Sequence, residues 1–424
     1  MKLNYKKTFT LGFGFFAIML CASLYDAFVP LFLSEFIEEA SLIGFLMTMD
    51  NYIGLFLQPL VGSVSDRTNT RFGRRMPYIL ICMPLAAIAV CVIPNHWNLI
   101  SLIVIIVLYN LIMSAFRSPT VALMPDITPV PLRSKANGVI NFMGGVGSVI
   151  AFFIGSKLYK LNHAYPFYMA AILLVVSAVI LFFKIKEKRD ALEYDDIASA
   201  DASVTDKKNH ATAASFIGTL KAWLAALPQT VKSMKNVLIL CVAIFFWFIA
   251  YNAVSSFFSL YGEKFLQIDP SVAVSKLTYF SISMLVTAIP AGWLGTLLGK
   301  RNTILIGLVM IILVFVGIFF TNDIDTIGFL FIPGGIGWAL ININSYPFVV
   351  SMASGNKVGS YTGLYYFFSS LAAIASPPVI GALIDRLGYG ILFKYSVGGF
   401  ILALIFLLFV KTPKEEPAEL VQRD

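Results

Sequence analysis

Gly62-Ser-Val-Ser-Asp66-Arg67-Thr-Asn-Thr-Arg71-Phe-Gly73-Arg74-Arg75 places four arginines and an aspartate between two long apolar runs, one ending near Val64 and one starting at Met76. A charged stretch this short, flanked by runs long enough to cross a bilayer, reads as a turn between two membrane-spanning helices. A sparser copy, Gly292-x3-Thr296-x2-Gly299-Lys300-Arg301, lies about 230 residues later, again between apolar runs. The chain therefore reads as two related halves.

The composition agrees. Of 424 residues, 58% are hydrophobic and only 13% charged, where soluble domains carry roughly a quarter charged residues; the mean hydropathy is +0.83. The fold class expected is all-α, with twelve transmembrane helices in two six-helix bundles. Spans are expected at 8–33, 41–64, 77–95, 98–124, 134–156, 165–184, 236–262, 272–298, 302–320, 326–350, 359–384 and 389–410. The tenth is interrupted by Pro333-Gly334-Gly335. The first carries no cleavage site and reads as a retained helix. Cys21, Cys82, Cys91 and Cys241 lie inside apolar runs without metal-ligand spacing and read as packing residues. No metal and no cofactor is expected.

With a cytoplasmic amino terminus, 24 of the 31 basic residues fall on the cytoplasmic side, six outside, and Arg117 within a span. This bias puts both termini in the cytoplasm of a plasma (inner) membrane protein. It also assigns the net charge of +8 to topology, so no nucleic-acid partner is expected; the partners are the lipid bilayer and a small solute, with the monomer as the working unit. The domains expected are 1–184 (first bundle), 185–235 (cytoplasmic linker), 236–410 (second bundle) and 411–424 (tail). Within the linker, Phe216, Leu220, Trp223 and Leu227 recur at near-helical spacing, as in a helix lying in the interface, with an extended start of span 7 as the alternative. Six spans, a linker and six spans are the layout of a two-bundle transporter with its cavity between the halves.

In the turn motif, Gly62 lets span 2 approach a neighbouring helix closely and Gly73 relieves the chain reversal. Asp66 either caps the next helix or pairs with an arginine across the seam between the bundles. Gly62, Asp66, Arg67, Arg71, Gly73, Arg74, Arg75, Gly292, Gly299, Lys300 and Arg301 are the candidate cytoplasmic gate; the arginines serve equally as topology anchors. Gly381-x3-Asp385-Arg386-x-Gly388 mimics the motif but falls on the outer side, and reads as a loop after span 11.

The duplicated motif resembles the cytoplasmic loop motif of the major facilitator superfamily. Its lengthened form, with Gln58-Pro59-Leu60-Val61 before it and Met76-Pro77 after it, resembles more narrowly the sucrose transporter group and the glycoside-pentoside-hexuronide cation symporters. Arg117-x-Pro119, Pro125-Asp126, Asn137-Gly138, Gly337-Trp338-Ala339, Tyr346-Pro347-Phe348 and Gly359-x3-Gly363-Leu364-Tyr365 extend the match over most of the chain outside the linker. The resemblance implies uptake of a glycoside or disaccharide, often with a proton. Where melibiose-permease-like members carry two acidic residues for sodium on span 2, this chain has Gly54 and Gln58. Neither supplies an anionic oxygen for a hard cation, so the expected coupling ion is a proton and not sodium.

Asp26 in span 1, Asp50 in span 2 and Arg117 in span 4 are ionisable groups at membrane depth, costly and hence functional candidates. They are the proton-coupling set, with a static buried pair as the competing reading. Tyr25 and Pro30 beside Asp26 suggest a broken, cavity-lining helix. A sugar pocket needs neutral donors and acceptors with an aromatic platform. Tyr25, Asp26, Asp50, Asn51, Asn110 and Arg117 in the first half, and Trp247, Tyr251, Asn252, Asn342, Asn344, Tyr346 and Tyr365 in the second, are the candidate substrate contacts; interhelical hydrogen bonding is the alternative role for each. His96, His163 and His210 carry no pattern. The chain holds no HExxH, no GxSxG and no paired histidines, so an enzyme is not expected. Other readings are an uncoupled facilitator or exporter with the same pocket, and a non-transporting sensor.

Overall fold

The computed structural model describes residues 3–129, 132–187, 235–353 and 358–411. The interfacial helix expected around Phe216–Leu227, most of the linker, and the tail beyond Lys411 lie outside these residues. Among the described residues, twelve helices are long and apolar enough to cross a bilayer. They are α1 (Tyr5–Ser34), α2 (Ala40–Arg67), α3 (Met76–Asn95), α4 (Leu99–Asp126), α5 (Lys135–Leu161) and α6 (Tyr165–Lys184), then α7 (Lys235–Phe265), α8 (Pro270–Leu297), α9 (Lys300–Ile318), α10 (Ile324–Ser351), α11 (Gly359–Leu387) and α12 (Tyr389–Phe409).

The first six pack chiefly with one another, α1 on α5, α2 on α4 and α3 on α6, and the second six likewise, α8 and α9 on α10, α7 on α11 and α12. Between the halves the main contacts are α2 with α11, α5 with α8 and α1 with α7. Lipid exerts no hydrophobic drive between helices, so close approach depends on small residues. A Cβ on Gly147 of α5 would stand 2.5 Å from the Phe16 carbonyl oxygen of α1. One on Gly335 of α10 would stand 2.3 Å from the Phe280 oxygen of α8, and Gly307 and Gly337 press together across the α9–α10 contact.

Two sequence expectations change here. The Pro333-Gly334-Gly335 stretch does not interrupt span 10, which runs as one helix from Ile324 to Ser351; its glycines serve packing. Span 1 is also unbroken, continuous from Tyr5 to Ser34 through Pro30. The break falls instead in α2, between Ala40–Met47 and Met49–Arg67. Thr48 sits at that joint with ψ near −1°, its hydroxyl donating to the Phe45 carbonyl.

Candidate substrate cavity and gates

The turn from Gly62 to Arg75 lies on the face that carries both termini, because α1 and α2 together cross and return. Arg75 is its centre. Its side chain is buried; Nε donates to Asp126 at 2.9 Å, one terminal nitrogen to the Gly62 carbonyl and the Ser65 hydroxyl, the other to Asp66. Arg74 also pairs with Asp126, at 3.2 Å. All these partners belong to the first half, so Asp66 binds an arginine of its own turn and not one across the seam. Gly73 has φ +115°, the left-handed region that glycine tolerates. A Cβ there would also run into Glu187.

Glu187, just past α6, was not legible as a site residue. It is buried, and its carboxylate accepts the backbone N–H groups of Arg74, Arg75 and Met76 at 2.7–3.0 Å, which caps the start of α3. Among the described residues the second copy of the turn has no such network. Thr296 replaces the aspartate and bonds only to Gly292 of its own helix, while Arg301 donates to the Leu407 and Leu408 carbonyls at the end of α12. Gly299 has φ +78°.

The ionisable residues at membrane depth lie at the seam. Asp26 accepts a hydrogen bond from Ser255 of α7, in the opposite half, at 3.3 Å. Asp50 accepts from the Asn51 backbone and side chain at 2.6 and 2.7 Å. Arg117 is exposed, within electrostatic reach of both carboxylates, yet pairs with neither within 4 Å among the described residues. Tyr25 accepts from the Asn110 amide at 3.2 Å and stacks on Tyr109. Gly54 and Gln58 adjoin one another, with the Gln58 amide nitrogen 2.8 Å from where a Cβ at 54 would be.

The second half presents aromatic rings to this group. Tyr346, Tyr365 and Tyr366 form one cluster with centroids 5.3–6.1 Å apart. Tyr365 bonds to Ser345 and Tyr346 to Thr362, each at 3.3 Å. Tyr366 is 58% exposed and within electrostatic reach of Arg117. Tyr251 stacks on Trp338 at 4.1 Å, with planes 3° apart. Three other candidates stand apart from the cluster. Trp247 is fully buried; Asn344 is buried and donates to the Ala291 and Leu340 carbonyls, joining α8 to α10; Asn252 donates to Phe248 of its own helix. Asn342 is half-buried, its carbonyl accepting from Ser345. Ser255 and Tyr366 complete the group. Ser255 carries no sequence signal, being one serine in an apolar helix.

On the opposite face the halves are closed. Asp385 of α11 accepts the backbone N–H groups of Ala40 at 2.6 Å and Ser41 at 3.0 Å, capping α2 from across the seam. A Cβ on Gly44 would stand 2.2 Å from the Pro377 oxygen, and one on Gly381 2.4 Å from the Ala40 oxygen. The segment read as a loop after span 11 is thus the end of α11 and a contact between the bundles. Around the tyrosine cluster, by contrast, a Cβ on Gly359 or Gly363 would meet nothing within 4 Å. The packing of the halves is thus looser at this end of α11, on the face that carries the termini.

Two bundles of six helices, related by a repeated turn and meeting around a polar seam, define a transporter fold. The profile of the Major Facilitator Superfamily matches residues 11–377, and again 240–424. The chain belongs to that superfamily. It is 24% identical over 464 aligned residues to the isoprimeverose transporter of Lactiplantibacillus pentosus, covering 97% of this chain and 90% of that one. It is 24% identical to multidrug resistance protein 2 of Bacillus subtilis, over 91% and 92% of the two chains. A partial match, 24% identical over 42% of this chain and 35% of the other, joins it to the general alpha-glucoside permease of Schizosaccharomyces pombe. Among solved structures, a bacterial homolog of the human lysosomal transporter Spinster superposes with a TM-score of 0.71 at 12% identity, over 97% of each chain. The nucleoside transporter NupG (D323A mutant) gives 0.72 at 15%, over 95% and 100%.

Proposed function

We propose that this protein imports a sugar, a disaccharide or glycoside, together with a proton by alternating access. The observation that carries this reading is the seam itself: Arg117, within electrostatic reach of two carboxylates of the first half, also reaches the exposed Tyr366 of the tyrosine cluster in the second. Aromatic faces stack on sugar rings, and neutral hydroxyls and amides serve sugar hydroxyls. Asp26 reaches the second half through Ser255, so its protonation is linked to how the bundles meet. Desolvation favours the neutral carboxyl and Arg117 the charged one; a sugar that dries the cavity tips the balance. Gly54 and Gln58 offer sodium no anionic oxygen.

The narrower resemblance to glycoside symporters, and the likeness to a transporter named for isoprimeverose, support a glycoside over other solutes. The basic-residue bias supports a plasma (inner) membrane location with both termini in the cytoplasm. The working unit is the monomer, with bundles 1–184 and 236–410 joined by linker 185–235 and followed by tail 411–424. A second reading, an uncoupled facilitator or an exporter, draws on the full-length likeness to a multidrug resistance protein.

Counterflow in proteoliposomes, against a panel of mono- and disaccharides with a pH-sensitive dye inside, separates these readings. The expected result is saturable exchange of one glycoside and an inward proton signal on adding it outside, lost in Asp26→Asn. Uptake indifferent to a pH gradient, with no proton signal, rejects symport and leaves the facilitator.

A further inference from the structure

Four buried side-chain polar atoms among the described residues have no hydrogen-bond partner: Trp247 Nε1, Ser259 Oγ, Glu263 Oε2 and Thr278 Oγ1. Leaving such a group unpaired costs roughly 1–3 kcal/mol, so each needs an explanation. Three of them lie on α7 at multiples of four residues, and Ser255, the donor to Asp26, is on the same register. Residues four apart drift by only about 40° on an α-helix. The last turn of α7, Tyr261–Phe265, is π-helical, which widens the turn and limits that drift. Ser255, Ser259 and Glu263 therefore form one polar stripe, from the middle of the membrane to the end of α7 opposite the termini.

Both ends of the stripe face the first half. Ser255 touches Asp26 of α1, and Glu263 is within electrostatic reach of Tyr159 of α5. Ser259 lies between them, 2% exposed. Thr278, on the neighbouring α8, sits at comparable depth counted from the loop that joins the two helices. A run of hydroxyls ending in a carboxylate, each with unused hydrogen-bonding capacity, suits water, which satisfies buried polar groups through two to four bonds.

We propose that Ser255, Ser259 and Glu263 form a water-bearing track through which protons from the outer face reach Asp26. This rests on the symport reading above. A proton enters at the Glu263 carboxylate; each water and hydroxyl accepts one proton as it passes another on, and the Asp26 carboxylate takes the last, with no other bond changed. The groups facing Glu263 are Lys264 at 3.7 Å, Tyr159 and Tyr389; those facing Asp26 are Asp50, Arg117, Tyr25, Tyr109 and Tyr251. No protein atom bridges Ser259 to its neighbours in this arrangement. Water therefore completes the track between Ser255 and Glu263.

The test compares two activities of full-length protein in proteoliposomes. Exchange at equal acidic pH on both sides cycles the loaded carrier without releasing its proton; accumulation driven by a pH gradient must reload Asp26 from outside on every turnover. Ser259→Ala and Glu263→Gln are expected to slow accumulation about tenfold, ~1.4 kcal/mol on the barrier, to need more acid outside for half-maximal rate, and to leave exchange intact. Ser259→Thr, which keeps the hydroxyl, restores accumulation. Wild-type accumulation in both variants overturns the track. So does an equal loss of both activities that Ser259→Thr does not restore, since the stripe would then be a packing feature. If the wild type itself gives no sugar-triggered proton signal, the symport reading fails and the track fails with it.

Discussion

At the residue scale, Tyr366 and Arg117 have open faces at the seam, and their exposure inside a membrane protein sets them apart from the packed aromatics around them. Trp338 is buried against Tyr251 and serves as a wall. Replacing Tyr366 with Leu keeps bulk and removes the aromatic platform. An increase of about tenfold in the half-saturating sugar concentration for counterflow is expected, the equivalent of ~1.4 kcal/mol. An unchanged value removes Tyr366 from the binding surface. Asn344 is expected to behave differently. Its amide joins two helices of one bundle, so Asn344→Leu is expected to lower the melting temperature in detergent by the loss of two hydrogen bonds, ~1–2 kcal/mol, with sugar affinity in the surviving protein near wild type.

At the element scale, the start of α3 depends on one carboxylate from beyond α6. The first N–H groups of a helix have no partner within it, and a cap contributes ~0.5–2 kcal/mol. Glu187→Ala also removes an anion from the positive end of the helix, so a loss near the upper part of that range is expected in thermal unfolding. Glu187→Gln, which keeps an acceptor, should recover part of it; equal behaviour of Ala and Gln would show that the cap is not what the residue contributes. Much at this scale was legible beforehand. Each span was visible as a run of about 20 apolar residues, because lipid compels every backbone group to bond within its own helix. The position of the break was not. α1 runs unbroken through Pro30, whereas α2 divides at Thr48 with no proline there.

At the scale of the whole molecule, the two faces are held by different means. On the face of the termini, the Arg75 network stays inside the first half. On the other, Asp385 and two glycine contacts join α11 to α2 across the seam. An anion at a helix N-terminus contributes ~0.3–2 kcal/mol, and a carrier poised between two states converts ~1.4 kcal/mol into a tenfold shift of population. Asp385→Ala is therefore expected to move the resting equilibrium towards opening on that face by up to about tenfold. Spin-label distances between cysteines placed at exposed Leu42 and Leu387, in a background without the native four, report the shift. An unaltered distance distribution removes Asp385 from the closure. The sequence motif around Asp385 was visible, but only the packing of α11 against α2 made it a contact between bundles.

Sequence alone determined that this chain spans a membrane twelve times, that its halves repeat, and that Asp26, Asp50 and Arg117 stand where charge is costly. Those features are local: hydropathy, a turn motif, an ionisable residue in an apolar run. The Gly62–Arg75 turn was recognisable in the same way. What it binds was not, since Asp126 and Glu187 come from the ends of two other helices. The tertiary structure alone decided which polar residues share the seam and which join helices within a bundle. It also decided that Ser255 meets Asp26 and that Asp385 caps α2. These are pairings between residues more than two hundred positions apart, set by how two bundles pack, and no local pattern encodes them.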